Sequence, residues 1–575
     1  MTKTQPALAA AVALGCAALL AACVSTGRSD GPLPQLAAAR PGTLQACTDL
    51  AARAARAGVV YTSVTSVAAG PVTVGNASQP APAHCLVLGR MAERKSPVDG
   101  NTYAIGFEMR LPVAWNGRFF YQANGGLDGA VVPAMGGIGG GAPTTSALQM
   151  GFAVISSDAG HAGSLGPLFA IDPQARLDYG YNAVAQLTPM AKNVIAQAYG
   201  RGPDRSYIGG CSNGGRHAMV AAARSAGEYD GILAGNPGFN LPRAAVAQLY
   251  GAQQYAKVAS AQTPAGLPDL QSAFTPAELT LVSNKVVAQC DALDGLADGI
   301  VSDVKACQAR FKLDAAVPTC AAGVRDGSCL SAPQKTALNN VFAGARNSAG
   351  RGIYSSFPFD SGIGGSNWRD WKFNSSQSRD PGAVGFIFTS PPLGANRPGG
   401  LAFALGFDMD RDAPLIDATG GVYRESAMGF MTPPDAANLA TLRNRGAKMM
   451  VYHGTSDPVF SSDDTAAWYE RLQAANGGNA TTFARYFPVP GMNHCSGGPA
   501  TDQFDMLSAL VGWVERGEAP ASVTASARGA GSAAANAELP AGWSATRTRP
   551  LCPYPQVARY TGGDPERATS FSCSP

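Results

Sequence analysis

At 575 residues the chain is too long for one compact core on the usual scale of roughly 100 to 200 residues per domain, so two or three folding units are expected. Its 46% hydrophobic and 14% charged residues, with 69 Gly and 41 Pro, exclude a coiled coil or a disordered chain and describe a loop-rich globular protein. The 43 basic and 40 acidic residues are spread along the chain and leave a net charge of +3, so nothing builds the basic stripe that nucleic-acid binding requires.

Residues 1–23 read as a signal peptide, with Lys3 ahead of an apolar run that ends in Leu20-Ala21-Ala22-Cys23. The run, about 15 residues, is shorter than the roughly 20 that span a bilayer. Leu-Ala-Ala-Cys has the form of a lipobox, which makes Cys23 a lipid-modified N-terminus; cleavage nearby without lipid is the alternative. Either way the protein is exported, as an outer-membrane lipoprotein or a periplasmic or secreted one. Residues 24–42 are Gly/Pro/Ala-rich and read as a flexible linker.

From 43 to 240, short apolar runs at 103–111, 117–122, 152–156, 206–209 and 231–234 read as strands, with helical spacing at 182–199 and 214–226. That alternation predicts an α/β fold, a mainly parallel sheet flanked by helices. Residues 241–434 lose the rhythm, are rich in Gly, Ser, Asn and Pro, and read as an inserted lid domain. The rhythm returns over 435–575, with strands at 448–453 and 485–489 and a helix at 503–516, so the sheet domain is split by the insertion.

Gly210-Cys211-Ser212-Asn213-Gly214 is a GxSxG sequence between a predicted strand and a predicted helix. A nucleophile elbow needs small residues there, because the turn that exposes the serine hydroxyl is tight. A serine needs a base, and the strand-order logic of such folds puts the histidine after it and after an acid. Of the five histidines, His84, His161 and His217 do not satisfy that order. His494 follows the 485–489 strand on a loop, whereas His453 ends a strand and reads as a core or supporting histidine. Asp457, in Gly454-Thr455-Ser456-Asp457-Pro458, is the expected acid; Asp463 and Asp464 are its rivals, at the start of a predicted helix.

Ten cysteines lie beyond residue 23 and none forms a CxxC pair, which favours structural disulfides over zinc or redox chemistry. Pairing sequence neighbours gives Cys47-Cys85, Cys290-Cys307, Cys320-Cys329 and Cys552-Cys573, and leaves Cys211 and Cys495. Each of these two adjoins an expected catalytic residue, but sequence alone does not fix connectivity. In 290–300, Asp291, Asp294 and Asp298 sit beside Gly295 and Gly299, a grouping that suits a structural calcium ion with the Leu296 and Ile300 carbonyls as further ligands; a solvated acidic turn is the plainer alternative.

The stretches GCSNGGR (210–216), CDALDGLADGIV (290–301), YHGTSD (452–457), VPGMNHCSGGP (489–499) and RTRPLCPYPQ (547–556) together resemble the tannase and feruloyl esterase family over nearly the whole mature chain. The resemblance implies an α/β-hydrolase core with a lid, calcium in the lid, no organic cofactor and a Cys211-Cys495 disulfide. It also implies oxyanion-hole amides at Gly126 and Asn213, and Trp371 and Phe460 clamping the ring of a small aromatic ester. The implied reaction is hydrolysis through an acyl-enzyme, by a protein expected to be a monomer. Candidate substrates are a terephthalate monoester, feruloyl or chlorogenate esters and gallate esters. Family members that take a substrate with a free carboxylate hold it with a lid arginine; here the stretch after Trp371 is shorter, with Arg379 the nearest candidate and Lys372 another. A non-catalytic surface lipoprotein that binds aromatic ligands is the rival from another class.

Overall fold

Strands β1 (Val59–Val67), β2 (Gly70–Val74), β3 (Ala77–Ala81), β4 (His84–Lys95), β5 (Thr102–Pro112), β6 (Arg118–Gln122), β7 (Ala153–Ser157), β8 (Arg205–Cys211), β9 (Gly231–Gly235), β10 (Lys448–Gly454) and β11 (Ala484–Val489) carry the architecture. The computed structural model describes residues 33–75, 77–137 and 145–575; the signal segment with Cys23, and residues 24–32 of the linker, lie outside the described residues. Nine of the strands form one sheet in the order β11-β10-β9-β8-β6-β7-β5-β4-β1. The pairings from β11 to β7 are parallel. Those from β7 through β5 and β4 to β1 are antiparallel. The β2-β3 hairpin stands apart as its own antiparallel pair.

The parallel half explains itself from composition. Every residue of β9 (GILAG) and β10 (KMMVYHG) is buried, because helices cover both faces and both alternations of side chain must be accommodated inside. The main helices are α1 (Ala183–Tyr199), α2 (Asn213–Arg224), α3 (Leu241–Ala256), α4 (Pro276–Cys290), α5 (Ser462–Ala475) and α6 (Met506–Arg516). Helix α2 packs along β8 and β9, and α6 along β9 and β10. No helix among the described residues is long and apolar enough to cross a membrane.

The segment 241–434 leaves the sheet after β9 and returns to it at β10, and is built of helices and short helical turns. Helix α4 begins at a capping box, in which Thr275 accepts from the Glu278 amide and the Glu278 side chain accepts from the Thr275 amide. The insertion is nailed to the core by Arg176, a fully buried guanidinium. It donates to the Phe386 carbonyl at 2.6 Å, the Thr389 carbonyl at 3.1 Å and Ser390 Oγ at 3.0 Å, and stacks over Tyr423. Removing either side would leave buried polar groups unpaired, so this contact resists opening. Core and insertion together, residues 35–575, form one compact unit.

Residues 35–42, expected as part of a flexible linker, are docked instead. Gln35 Nε2 donates to the Val514 carbonyl at 2.8 Å, the Ala39 amide to Glu515 at 2.9 Å, and the Arg40 amide to Asp204 at 2.8 Å.

Candidate active site

The elbow is set by what glycine lacks. Ser212 sits between β8 and α2 at φ 65° and ψ −125°, a backbone state that costs an L-residue energy and persists only where neighbours enforce it. A Cβ on Gly210 or Gly214 would collide with the Ala123 carbonyl, so the strand and the helix approach the β6 loop only because both positions are glycine. The Ser212 amide donates to the Gly235 carbonyl at 3.0 Å, fixing the turn against the neighbouring strand.

Three stretches distant in sequence meet here. Ser212 Oγ donates to His494 Nε2 at 2.8 Å, and His494 Nδ1 donates to Asp457 Oδ2 at 2.9 Å, the tautomer following from the acceptor at each end. His494 stands on the loop after β11 and Asp457 on the loop after β10. The Asp457 carboxylate is fully buried and richly bonded. Oδ2 also accepts from Asn236 Nδ2 at 2.7 Å and lies 3.2 Å from His453 Nε2; Oδ1 accepts from the Val459 amide at 2.7 Å and the Phe460 amide at 3.2 Å. Burial alone would raise its pKa, but the His494 charge and the surrounding N–H donors outweigh burial and hold the carboxyl well below the usual carboxylate range. His453 is locked between Thr465 and the Phe460 carbonyl, and so supports the acid. The rivals are engaged elsewhere, Asp463 with Ser356 and Asp464 with Asn240.

The cysteines form five disulfides, Cys47-Cys85, Cys211-Cys495, Cys290-Cys307, Cys320-Cys329 and Cys552-Cys573. The second joins the residue before Ser212 to the residue after His494, with Cα atoms 6.1 Å apart.

A cavity of about 660 Å³ opens on Ser212 and His494, walled by Asn124, Gly125 and Gly126 on one side and Trp371 on another. The amides of Gly126 and Asn213 donate to no other protein group among the described residues. Gly126 has φ +64°, and its carbonyl, on the peptide that follows the one carrying its N–H, accepts from Tyr179 at 3.2 Å, which anchors the loop. Trp371 lies edge-on to the His494 ring at 4.9 Å between centroids. Phe460 also meets that ring, at 5.4 Å, but it is buried in a small cluster with Val459 and Ala244 and does not line the cavity. Arg379 lies over the Trp371 ring at 4.2 Å and pairs with Asp380 at 3.2 Å. Lys372 is buried, its ammonium 4.0 Å from the Phe357 ring centre, and burial pulls its pKa down to about 7; it does not line the cavity.

Two wall residues, Val74 and Gln79 of the β2-β3 hairpin, have no counterpart in the reading of the sequence, and neither has Asn236, which lies behind the acid and outside the wall. Asn236 directly follows β9, at the carboxyl edge of a central parallel strand, and that position is the signal that identifies it.

In the acidic loop, Asp291 accepts from the Asp298 and Gly299 amides at 3.0 and 2.9 Å, and Asp294 from the Leu296 amide at 3.1 Å. Burial, with the charges of Asp298 and Asp291 adding to it, pushes Asp294 up to about 6, and carboxylate oxygens gathered on one loop are the donor type a hard cation takes. Asp298, however, spends a carboxylate oxygen on Arg549 and Arg547, and among the described residues no three His, Cys, Asp or Glu side chains are gathered as a closed metal site.

A mixed sheet whose parallel strands present at their ends a serine, a histidine and an aspartate in chain order Ser, Asp, His, beside a cavity under an inserted lid, defines a carboxylic ester hydrolase of the α/β-hydrolase class. The profile described as tannase and feruloyl esterase matches residues 85–574, and the chain belongs to that family. It is 42% identical over 547 residues to mono(2-hydroxyethyl) terephthalate hydrolase of Piscinibacter sakaiensis, covering 88% of this chain and 87% of that one. Among solved structures it is similar to feruloyl esterase B from Aspergillus oryzae, with TM-score 0.73, 24% identity, and 92% and 99% of the two chains covered. Tannin acyl hydrolase from Aspergillus niger gives TM-score 0.65, 19% identity, and 93% and 96% coverage. These two structures speak for the fold.

Proposed function

We propose that the protein hydrolyses esters of small aromatic acids through an acyl-enzyme on Ser212, with a terephthalate monoester as the preferred substrate class. The observation that carries the reading is the continuous chain of hydrogen bonds from Ser212 through His494 to Asp457, open to a cavity on the serine side. In it, the Ser212 proton passes to His494 Nε2 as Oγ bonds to the ester carbonyl carbon. The oxygen that becomes negative is held by the Gly126 and Asn213 amides. Collapse breaks the ester C–O bond, and His494 returns the proton to the leaving alcohol. Water, deprotonated by His494, then bonds to the acyl carbon; the bond to Ser212 Oγ breaks, the acid leaves and His494 returns the proton to Oγ. Asp457 holds the imidazole and stabilises its charged form without taking the proton.

Trp371 supports an aromatic acyl group, because a flat ring against an indole gains stacking contact. Arg379 over that indole supports a carboxylate at the far end of the substrate, and the likeness to the terephthalate monoester hydrolase points the same way. One observation favours the feruloyl reading: Arg379 is already paired with Asp380, which reduces its call for a substrate anion. A panel of terephthalate monoester, methyl ferulate, methyl gallate and a short p-nitrophenyl ester, with Arg379→Ala alongside, separates the two. The terephthalate reading expects the highest kcat/KM on the monoester and a rise of about tenfold or more in KM for that substrate alone. Equal loss on methyl ferulate contradicts it.

Two further readings stand as proposals. Asp291, Asp294 and Asp298, with the Leu296 and Ile300 carbonyls, hold a calcium ion that pins the insertion. The segment ending in Cys23 exports the chain and supplies a lipid-bearing N-terminus, a reading consistent with its disulfides.

A further inference from the structure

A buried carboxylate links the two amides read as the oxyanion hole, although the reaction itself never uses it. The Gly126 amide belongs to the loop after β6, and the Asn213 amide to the first turn of α2, so their spacing depends on how two separate elements are held together. Asp128 stands on the loop two residues after Gly126, in the left-handed region at φ +56°, with its side chain only 2% exposed. Its Oδ2 accepts from Asn213 Nδ2 at 2.7 Å and from His217 Nε2 at 2.9 Å. His217 is one turn further along α2, and the Arg216 guanidinium lies against its ring, Nη2 being 3.0 Å from Nε2 and 3.2 Å from Nδ1, so Asn213, Arg216 and His217 gather around one Asp128 oxygen.

The contacts close into a ring. Arg216 Nε donates to Asn213 Oδ1 at 2.6 Å, and its Nη2 donates to the Tyr179 carbonyl at 2.9 Å. The Tyr179 hydroxyl in turn donates to the Gly126 carbonyl. His161 Nε2 donates to the Leu127 carbonyl at 2.9 Å, holding the stretch between Gly126 and Asp128. Asp128 thus joins the Gly126 loop directly to α2, Tyr179 joins it to Arg216 and so to Asn213, and His161 holds the loop from the segment after β7.

We infer that Asp128 is a positioning residue, whose carboxylate ties the Gly126 loop to the side chain of Asn213 and thereby sets the distance between the two oxyanion donors. The inference rests on the oxyanion assignment proposed above. It separates Asp128 from an ordinary buried acid, because the property it controls is exercised in the transition state and not in substrate binding.

The experiment measures kcat and KM on a p-nitrophenyl ester, and the affinity for phenylboronic acid as a tetrahedral mimic, for wild type, D128N, D128A, N213A and D128A/N213A. N213A keeps the backbone amide and removes only the clamped side chain. Expected are a fall in kcat of roughly 10- to 100-fold for D128A and N213A with KM within about twofold, and a parallel loss of boronate affinity. The double variant loses no more than the worse single one, because both cut the same link. D128N, whose amide oxygen still accepts from Asn213 and whose type tolerates positive φ, stays within about threefold of wild type. Unchanged kcat in D128A, multiplying losses in the double variant, or D128N as impaired as D128A would each overturn the inference. If D128A fails to fold, N213A decides: unchanged kcat there overturns it. Ser212→Ala run in parallel keeps the two levels apart, since full activity in that variant sinks the serine mechanism itself, whatever Asp128 does.

Discussion

Replacing both Cys211 and Cys495 by alanine removes a link that closes 284 residues of chain and adjoins both Ser212 and His494. In the chain-entropy picture a loop of that length contributes about 5.6 kcal/mol, and measured losses of native disulfides run from about 2 to 5. The Cys290-Cys307 and Cys320-Cys329 bridges shorten that loop by only 17 and 9 residues, so the full range applies. A loss of about 3 to 5 kcal/mol is expected, seen as a thermal midpoint lower by several degrees. The catalytic consequence is separate. The bridge holds two Cα atoms 6.1 Å apart beside a 2.8 Å hydrogen bond, and a drift of about 1 Å at a reacting group costs on the order of a hundredfold. Measured well below the variant's own midpoint, kcat on a p-nitrophenyl ester should fall 10- to 100-fold with little change in KM. A variant that melts lower but turns over at the wild-type rate would refute the claim that the bridge aligns serine and histidine, and one with an unchanged midpoint would refute the stability argument.

Asp457→Asn should keep the fold and lower kcat by roughly 10³- to 10⁴-fold, because the amide favours the wrong imidazole tautomer; a loss under tenfold would remove Asp457 from the proposed role. Asp158 has its carboxyl pushed up to about 7, by burial first and the Asp128 charge after it, against about 4 in an unfolded chain. The stability this group lends is therefore complete below pH 4 and is lost as pH rises toward 7. Asp158→Asn should exceed wild type by roughly 1 to 3 kcal/mol at pH 8 and by nothing at pH 4, and a pH-independent difference in denaturation midpoints would contradict the shift. A chelator should lower the thermal midpoint by several degrees and added calcium should restore it; no change in either direction argues against the metal at Asp291, Asp294 and Asp298.

The parallel half of the sheet and the meeting of Ser212, Asp457 and His494 were legible in the sequence because each leaves a local trace. Strands such as β9 and β10, buried on both faces, are continuous apolar runs, and glycines flank Ser212 for steric reasons that no other residue satisfies. The outer antiparallel strands left no such trace. In β1, Thr and Ser share a half-exposed ladder with valines, and β4 carries Arg, Glu and Lys toward solvent, so neither reads as core. The β2-β3 hairpin reaches the cavity from a distant part of the chain, and no spacing rule connects Val74 or Gln79 to Ser212. Lys372, the second candidate for a substrate carboxylate, is settled by packing that spacing does not encode: it lies in the π-helical turn Asp370–Asn374 and points inward onto Phe357. Asp128 was silent because its meaning lies in what Asn213 and His217 do across a gap.

The most direct measurement is mass spectrometry of the intact protein and its peptides after brief reaction with a fluorophosphonate or a slow aromatic ester. One adduct on the peptide containing Ser212, lost together with ester hydrolysis in Ser212→Ala, is the expected result. Full hydrolysis by Ser212→Ala, or an adduct on another residue, contradicts the account at its centre.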